Sequence, residues 1–282
     1  MYCRGMENTA VQPLSGVRVV SLAVNLPGPL AAARLAELGA HVIKVEPPGG
    51  DPLAAAAPDW YRALIENQEI ASLDLKQDAD RRKLDDLLQP ADLLITSMRP
   101  SALVRLGLAQ PQERFPRLSL IEIVGHADDP ELPGHDLNYQ AVHGTLVPPQ
   151  MPTVPIADML GAERTVSAAL AALVRRAETG AGQPYRVALE EAAARAGDAV
   201  RYRLMGTDAI LGGAFPGYGI YRCADGYVAL GAVEPHFFMR TLATFGADGS
   251  HESLRTAFAD KSTAELEAIA AANDLPLNAV RP

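Results

Sequence analysis

Cysteine is nearly absent. The 282 residues contain two, Cys3 near the start and Cys223 far from it, too few for a disulfide framework or a cysteine-rich metal site and in keeping with a reducing compartment. His41, His126, His143, His236 and His251 show no HxH or HExxH spacing, so no metal is expected. Basic blocks are also missing. With a formal net charge of -9, a nucleic-acid surface is excluded as the main activity. No apolar run is long enough to span a bilayer, and the first ten residues lack the basic start and apolar core of a signal peptide, so a cytoplasmic location is expected. No GxGxxG follows the first apolar run, which leaves a nicotinamide cofactor without local support, and Ser21, Ser97 and Ser101 stand in no nucleophile-elbow pattern. No internal repeat is visible.

Aromatics make up only 5% and alanine is abundant, a composition that fits a helix-rich α/β chain. Residues 17–22 form an apolar run of the buried parallel-strand kind. Pro27-Gly28-Pro29 is expected to break the chain before an amphipathic helix over 30–38, and 41–46 reads as the next strand. This is a βαβ unit, whose general meaning is a doubly wound sheet with ligand sites at the C-terminal ends of its strands. The pattern continues with a strand edge at 72–76, a charged helix over 78–88 read as a solvated face, a strand at 91–96, a turn and helix over 98–108, and strands at 118–124 and 185–189. A helix over 190–204 closes this part. An Asp-Gly hairpin joins 220–223 to 227–230, and helices are expected over 239–245 and 264–273.

Residues 134–183 carry the chemistry. His135 is a candidate proton carrier by residue type, and Asp158 stands at the mouth of a long small-residue helix, where the helix dipole favours a carboxylate anion. The plainer alternative leaves Asp158 as an N-cap and His135 as a loop residue.

The run GHDLNYQAVHG, followed by PIADMLGAERTVSAALAALVRRAETGAGQ, resembles the CaiB/BaiF family of family III CoA transferases and acyl-CoA racemases, and within it the alpha-methylacyl-CoA racemases. The opening LSGVRVVSLAVNLPGPLAAARLAELGAHVIKVEPPGGDPL and the later YRCADGYVALGAVEPHFF resemble the same family, so the likeness runs from about Leu14 to the end. It implies a flexible tail over 1–13, a Rossmann-like CoA-binding and catalytic domain over 14–210 and a small α+β domain over 211–282, with the C-terminal return to the large domain missing. It also implies an interlocked homodimer. No permanent cofactor is expected, coenzyme A entering as part of the substrate. His135, Asp158 and Glu234 map onto the catalytic positions. Arg99, Arg105, Lys76 and Tyr139 are the candidates for holding the CoA moiety, the arginines because guanidinium suits bidentate phosphate contacts.

Three chemistries stay open. In a racemase, His135 and Asp158 would serve opposite faces of the thioester α carbon, with Glu234 orienting the histidine. In a CoA transferase Asp158 would attack the thioester and carry the intermediates. A non-catalytic binding or scaffold role is favoured by three departures from the family pattern: a neutral-to-acidic Glu66–Ile70 stretch where relatives carry a basic loop, Met159 and Leu160 where relatives carry glycines, and the short C-terminus.

Overall fold

The computed structural model describes residues 12–281, so most of the expected tail, residues 1–11, lies outside the described residues. Two compact units divide at Ala196 and Gly197, and each is described by itself.

In the first unit the order is β1 (Arg18–Ser21), α1 (Pro27–Glu37), β2 (His41–Glu46), α2 (Pro52–Ala56), α3 (Pro58–Ile65), β3 (Glu69–Ser72), α4 (Asp78–Leu88), β4 (Leu93–Thr96) and α5 (Pro100–Leu106). Then come β5 (Ser119–Val124), α6 (Asp136–Val142), α7 (Ile156–Thr179), β6 (Pro184–Ala188) and α8 (Leu189–Arg201), the last running across the division. The six strands form one parallel sheet in the order β3-β2-β1-β4-β5-β6. The order reverses between β1 and β4, and in such sheets the crevice beyond the strand ends at the reversal is where ligands bind.

Both sheet faces are covered, which is why the strands read as continuous apolar runs. Val19, Val42, Leu93, Ile95, Ile121 and Ile123 point to the face packed by α1, α7 and α8; Val20, Val45, Leu94 and Leu120 point to the face packed by α4 and α5. Alanines at 31, 32, 169 and 172 lie buried on the first face, and small side chains let α1 and α7 approach closely.

Two expectations are corrected here, and one element is added. Pro27-Gly28-Pro29 does not precede α1 but forms its first turn, because proline at the first helical position gives up only an amide that has no intrahelical partner. The edge strand lies at Glu69–Ser72, upstream of the expected 72–76: it is exposed at three of four positions and so carries no apolar signal. The segment 136–142, not recognised as an element in the sequence, is a helix.

The second unit holds β7 (Tyr218–Arg222), β8 (Tyr227–Gly231), α9 (Pro235–Phe245), α10 (His251–Ala259), α11 (Thr263–Ala272) and β9 (Leu277–Ala279), with an antiparallel sheet in the order β7-β8-β9. Its own core gathers Tyr221, Val228, Leu230, Leu254, Phe258 and Leu277, with the Tyr221 and Phe245 rings edge-on to Phe258 at 5.4 and 4.9 Å. α10 was missed in the sequence. No helix among the described residues is long and apolar enough to cross a membrane.

Candidate functional site

Two clefts open at the reversal between β1 and β4. The first, about 310 Å³, is lined by His135, Asp158, Tyr139 and Arg99 together with the turns after β1 and β4. The second, about 490 Å³, is walled by apolar side chains and edged by Lys76, Arg81 and Arg105. Val24, Ser97 and Met98 line both, so the clefts adjoin.

Asp158 is the third residue of α7, and the cap of that helix comes from elsewhere. The Asp136 carboxylate accepts the backbone N–H groups of Ala157 at 2.7 Å and Asp158 at 3.2 Å. Its other oxygen accepts from Gln140 Nε2 at 2.6 Å, and Gln140 Nε2 also donates to the Val154 carbonyl at 3.1 Å. Free amides that would favour an anion are thus occupied by Asp136. The outcome is opposite to the dipole expectation: burial first, and the Asp136 charge second, push the Asp158 carboxyl up to about 6. Such a group exchanges a proton near neutral pH.

His135 caps α6, with its backbone N–H donating to Asn138 Oδ1 at 3.1 Å and its side chain exposed at the cleft. Tyr139 is 2% exposed, and its ring meets His126 edge-on at 5.3 Å. A β-carbon at Gly125 or Gly134 would come within 2.7 Å of the Tyr139 hydroxyl, so these two glycines make the room in which the phenol sits. Burial, then the charges of Asp158 and Glu190, raise the Tyr139 phenol above its ordinary range and keep it a hydrogen-bond donor. Glu190 itself bonds the His143 ring, a pair the sequence did not signal.

Arg99 caps α5 and is exposed at the first cleft, while Arg105, Lys76 and the previously unrecognised Arg81 are exposed at the second. Arg81 donates to the Leu75 carbonyl at 2.7 Å, which folds it toward the cleft, whereas its Arg-Arg-Lys context had read only as a solvated helix face. Met159, 39% exposed, and Leu160 line neither cleft, so they do not obstruct Asp158. Glu234 belongs to the second unit, where it is the exposed N-cap residue of α9 and makes no side-chain cap bond.

The family model of CoA-transferase family III matches residues 14–282. The chain belongs to CoA-transferase family III. Among curated relatives of this family III member, the cinnamoyl-CoA:phenyllactate CoA-transferase of Clostridium sporogenes is 36% identical over 147 residues, covering 46% of this chain and 35% of that protein. The L-carnitine CoA-transferase of Proteus sp. (strain LE138) is 29% identical over 246 residues, covering 78% and 59% respectively. The chain therefore spans between about a third and three-fifths of the curated relatives it matches. Among solved structures, a CAIB/BAIF family protein from Brucella suis superposes with a TM-score of 0.80 at 23% identity, covering 96% of this chain and 84% of that one. A hypothetical protein from Mycobacterium tuberculosis superposes with 0.79 at 24% identity, covering 97% and 86%. These structures share the fold.

Proposed function

We propose that this family III protein is an acyl-CoA racemase or epimerase acting at the α carbon of a 2-methylacyl-CoA thioester. The observation that carries this is the meeting of two proton-transfer groups, His135 and Asp158, on one cleft, with the Asp158 carboxyl at about 6. One group takes the proton from C2, the electron pair moves onto the thioester oxygen, and the other group returns a proton to the opposite face. Neutral Tyr139 is a nearby donor for the enolate oxygen. The thioester lies in the first cleft, and the CoA moiety runs past Val24, Ser97 and Met98 into the second, where Lys76, Arg81 and Arg105 meet its phosphates. Glu234 stays in this reading on the resemblance alone, as a candidate catalytic residue. The interlocked homodimer is likewise carried by resemblance.

Transfer of CoA between carboxylic acids is the second reading, favoured by the names of both curated relatives. There Asp158 attacks the thioester carbon, the C–S bond breaks and CoA leaves as thiolate. The thiolate then attacks the Asp158 carbonyl of the resulting anhydride, releasing the first acid and leaving an aspartyl-CoA thioester for the acceptor carboxylate.

One incubation separates the two. Enantiopure 2-methylacyl-CoA is mixed with the protein, with and without a second carboxylic acid, and the thioesters are resolved chromatographically. The opposite enantiomer without added acid supports the racemase. A new acyl-CoA appearing only with acid supports transfer, and no change in either overturns both.

A further inference from the structure

Against the turn after β1 lies a set of buried charges that the proton-transfer chemistry does not use. Lys44, midway along β2, is fully buried, and Asp51 is 3% exposed. Lys44 Nζ donates to Asp51 Oδ2 at 2.7 Å and to the Ala23 carbonyl at 3.0 Å, and it lies 3.5 Å from Glu46 Oε1. Glu46 in turn accepts from the Tyr61 hydroxyl. Asp51 Oδ1 accepts the backbone N–H of Asn25 at 3.0 Å and of Leu53 at 2.9 Å. From the other side Ser97 Oγ accepts the N–H of Val24 at 3.1 Å. Three successive residues after β1 are thus each fixed by a side chain distant in sequence.

Asn25 has φ +66°, a left-handed conformation that asparagine adopts more readily than other residues with a β-carbon but that is still uncommon, so the turn has a defined shape to hold. Val24 and Asn25 line the cleft that holds Asp158. A buried ion pair is a poor source of net stability, since desolvation offsets most of its attraction; its better-attested use is to enforce one arrangement over others.

We propose that Lys44 and Asp51 are positioning residues, holding the Ala23–Val24–Asn25 turn, with its left-handed Asn25, where it lines the reaction cleft. The kinetic half of this claim rests on the acyl-CoA reading; the structural half does not. Neither side chain lines either cleft. Both act through the turn, so their loss should impair turnover more than binding.

The test compares the unsubstituted chain with Asp51→Ala, Lys44→Met and the double variant, by backbone hydrogen exchange and by kinetics on 2-methylacyl-CoA. In Asp51→Ala, which removes the acceptor, the Asn25 amide should exchange faster by about 10-fold or more while β4 and β5 stay protected. The kcat should fall by about 10-fold or more with KM within about three-fold, the signature of lost alignment. The double variant removes both members of the closest pair and leaves Glu46 with the Tyr61 hydroxyl, keeping a folded protein available if either single variant fails to fold. It should melt above the less stable single variant yet keep the low kcat. Unchanged protection of Asn25 in Asp51→Ala, or a double variant that recovers both melting and kcat, overturns the proposal. If the unsubstituted protein turns over no thioester, the acyl-CoA reading falls, and the exchange comparison alone decides the positioning.

Discussion

Asp136 holds the first turn of the helix that carries Asp158, accepting the N–H groups of Ala157 and Asp158 through one carboxylate oxygen. One residue therefore anchors the helix and adds a negative charge beside the group it positions, so its two effects can be separated by substitution. Asp136→Ala should destabilise the fold by about 1 kcal/mol, the usual loss of a cap, in thermal melts at pH 7. Asp136→Asn keeps the acceptor and removes the charge. The Asp158 titration, followed by NMR, should move below about 6 but not return to 3.8, because burial is the larger cause and remains.

Asp158 also sets a pH dependence of stability. Its folded value, about 6, lies above 3.8, the ordinary value expected in the unfolded chain, so the fold binds this proton more tightly. The contribution favours the fold below about pH 4 and is lost as pH rises through about 6. Asp158→Asn should therefore raise stability at pH 7.5, by up to about 3 kcal/mol, and change little at pH 3.5. Melting curves at the two pH values check this. Equal effects at both would contradict the burial argument.

Much of the fold was legible because it is written locally. The runs at 17–22, 41–46, 91–96 and 118–124 are apolar on both faces and lie in a sheet covered on both sides. β3 escaped because Glu69 and Ile70 lie on an exposed edge, and the helical Pro27 was misplaced because proline suits both a chain break and a first helical turn. His135 and Asp158 could be picked out by residue type and motif. The Asp136 cap could not, since it joins residues 21 apart in sequence, and neither could Lys44, a lysine inside an apolar strand whose partner lies beyond the next turn. The raised Asp158 carboxyl is likewise a product of burial rather than of helix position.

The second cleft makes a prediction about the nucleotide end of the ligand. Alanine at Arg105 or Arg81 should weaken CoA binding by about 3–10-fold each, in line with the loss of one partly exposed charge contact. Calorimetry at low and at high salt should show the difference shrinking as salt rises. If the two variants bind CoA as tightly as the parent, the phosphates lie elsewhere.

Gly161 sits where α7 meets Leu189, and a β-carbon there would stand 2.2 Å from Leu189 Cδ2. Leu189 also lines the first cleft, so relief of the clash displaces a wall of the site. Gly161→Ala should leave stability within about 1 kcal/mol, because the atom it meets is the free end of a leucine and alanine favours the helix, yet lower turnover. Thermal melting and thioester kinetics on the same preparation check the two effects. Unaltered turnover would mean that Leu189 gives way without disturbing the cleft.

The central claim, two-base proton transfer by His135 and Asp158, is tested most directly by isotope exchange. The protein is incubated with 2-methylacyl-CoA in deuterium oxide, without any acceptor acid, and deuterium at C2 is read by mass spectrometry for the parent, Asp158→Asn and His135→Ala. The account predicts deuterium incorporation by the parent and a loss of about 100-fold or more when either residue is replaced. Absence of exchange in the parent, or exchange that persists in both variants, would contradict it.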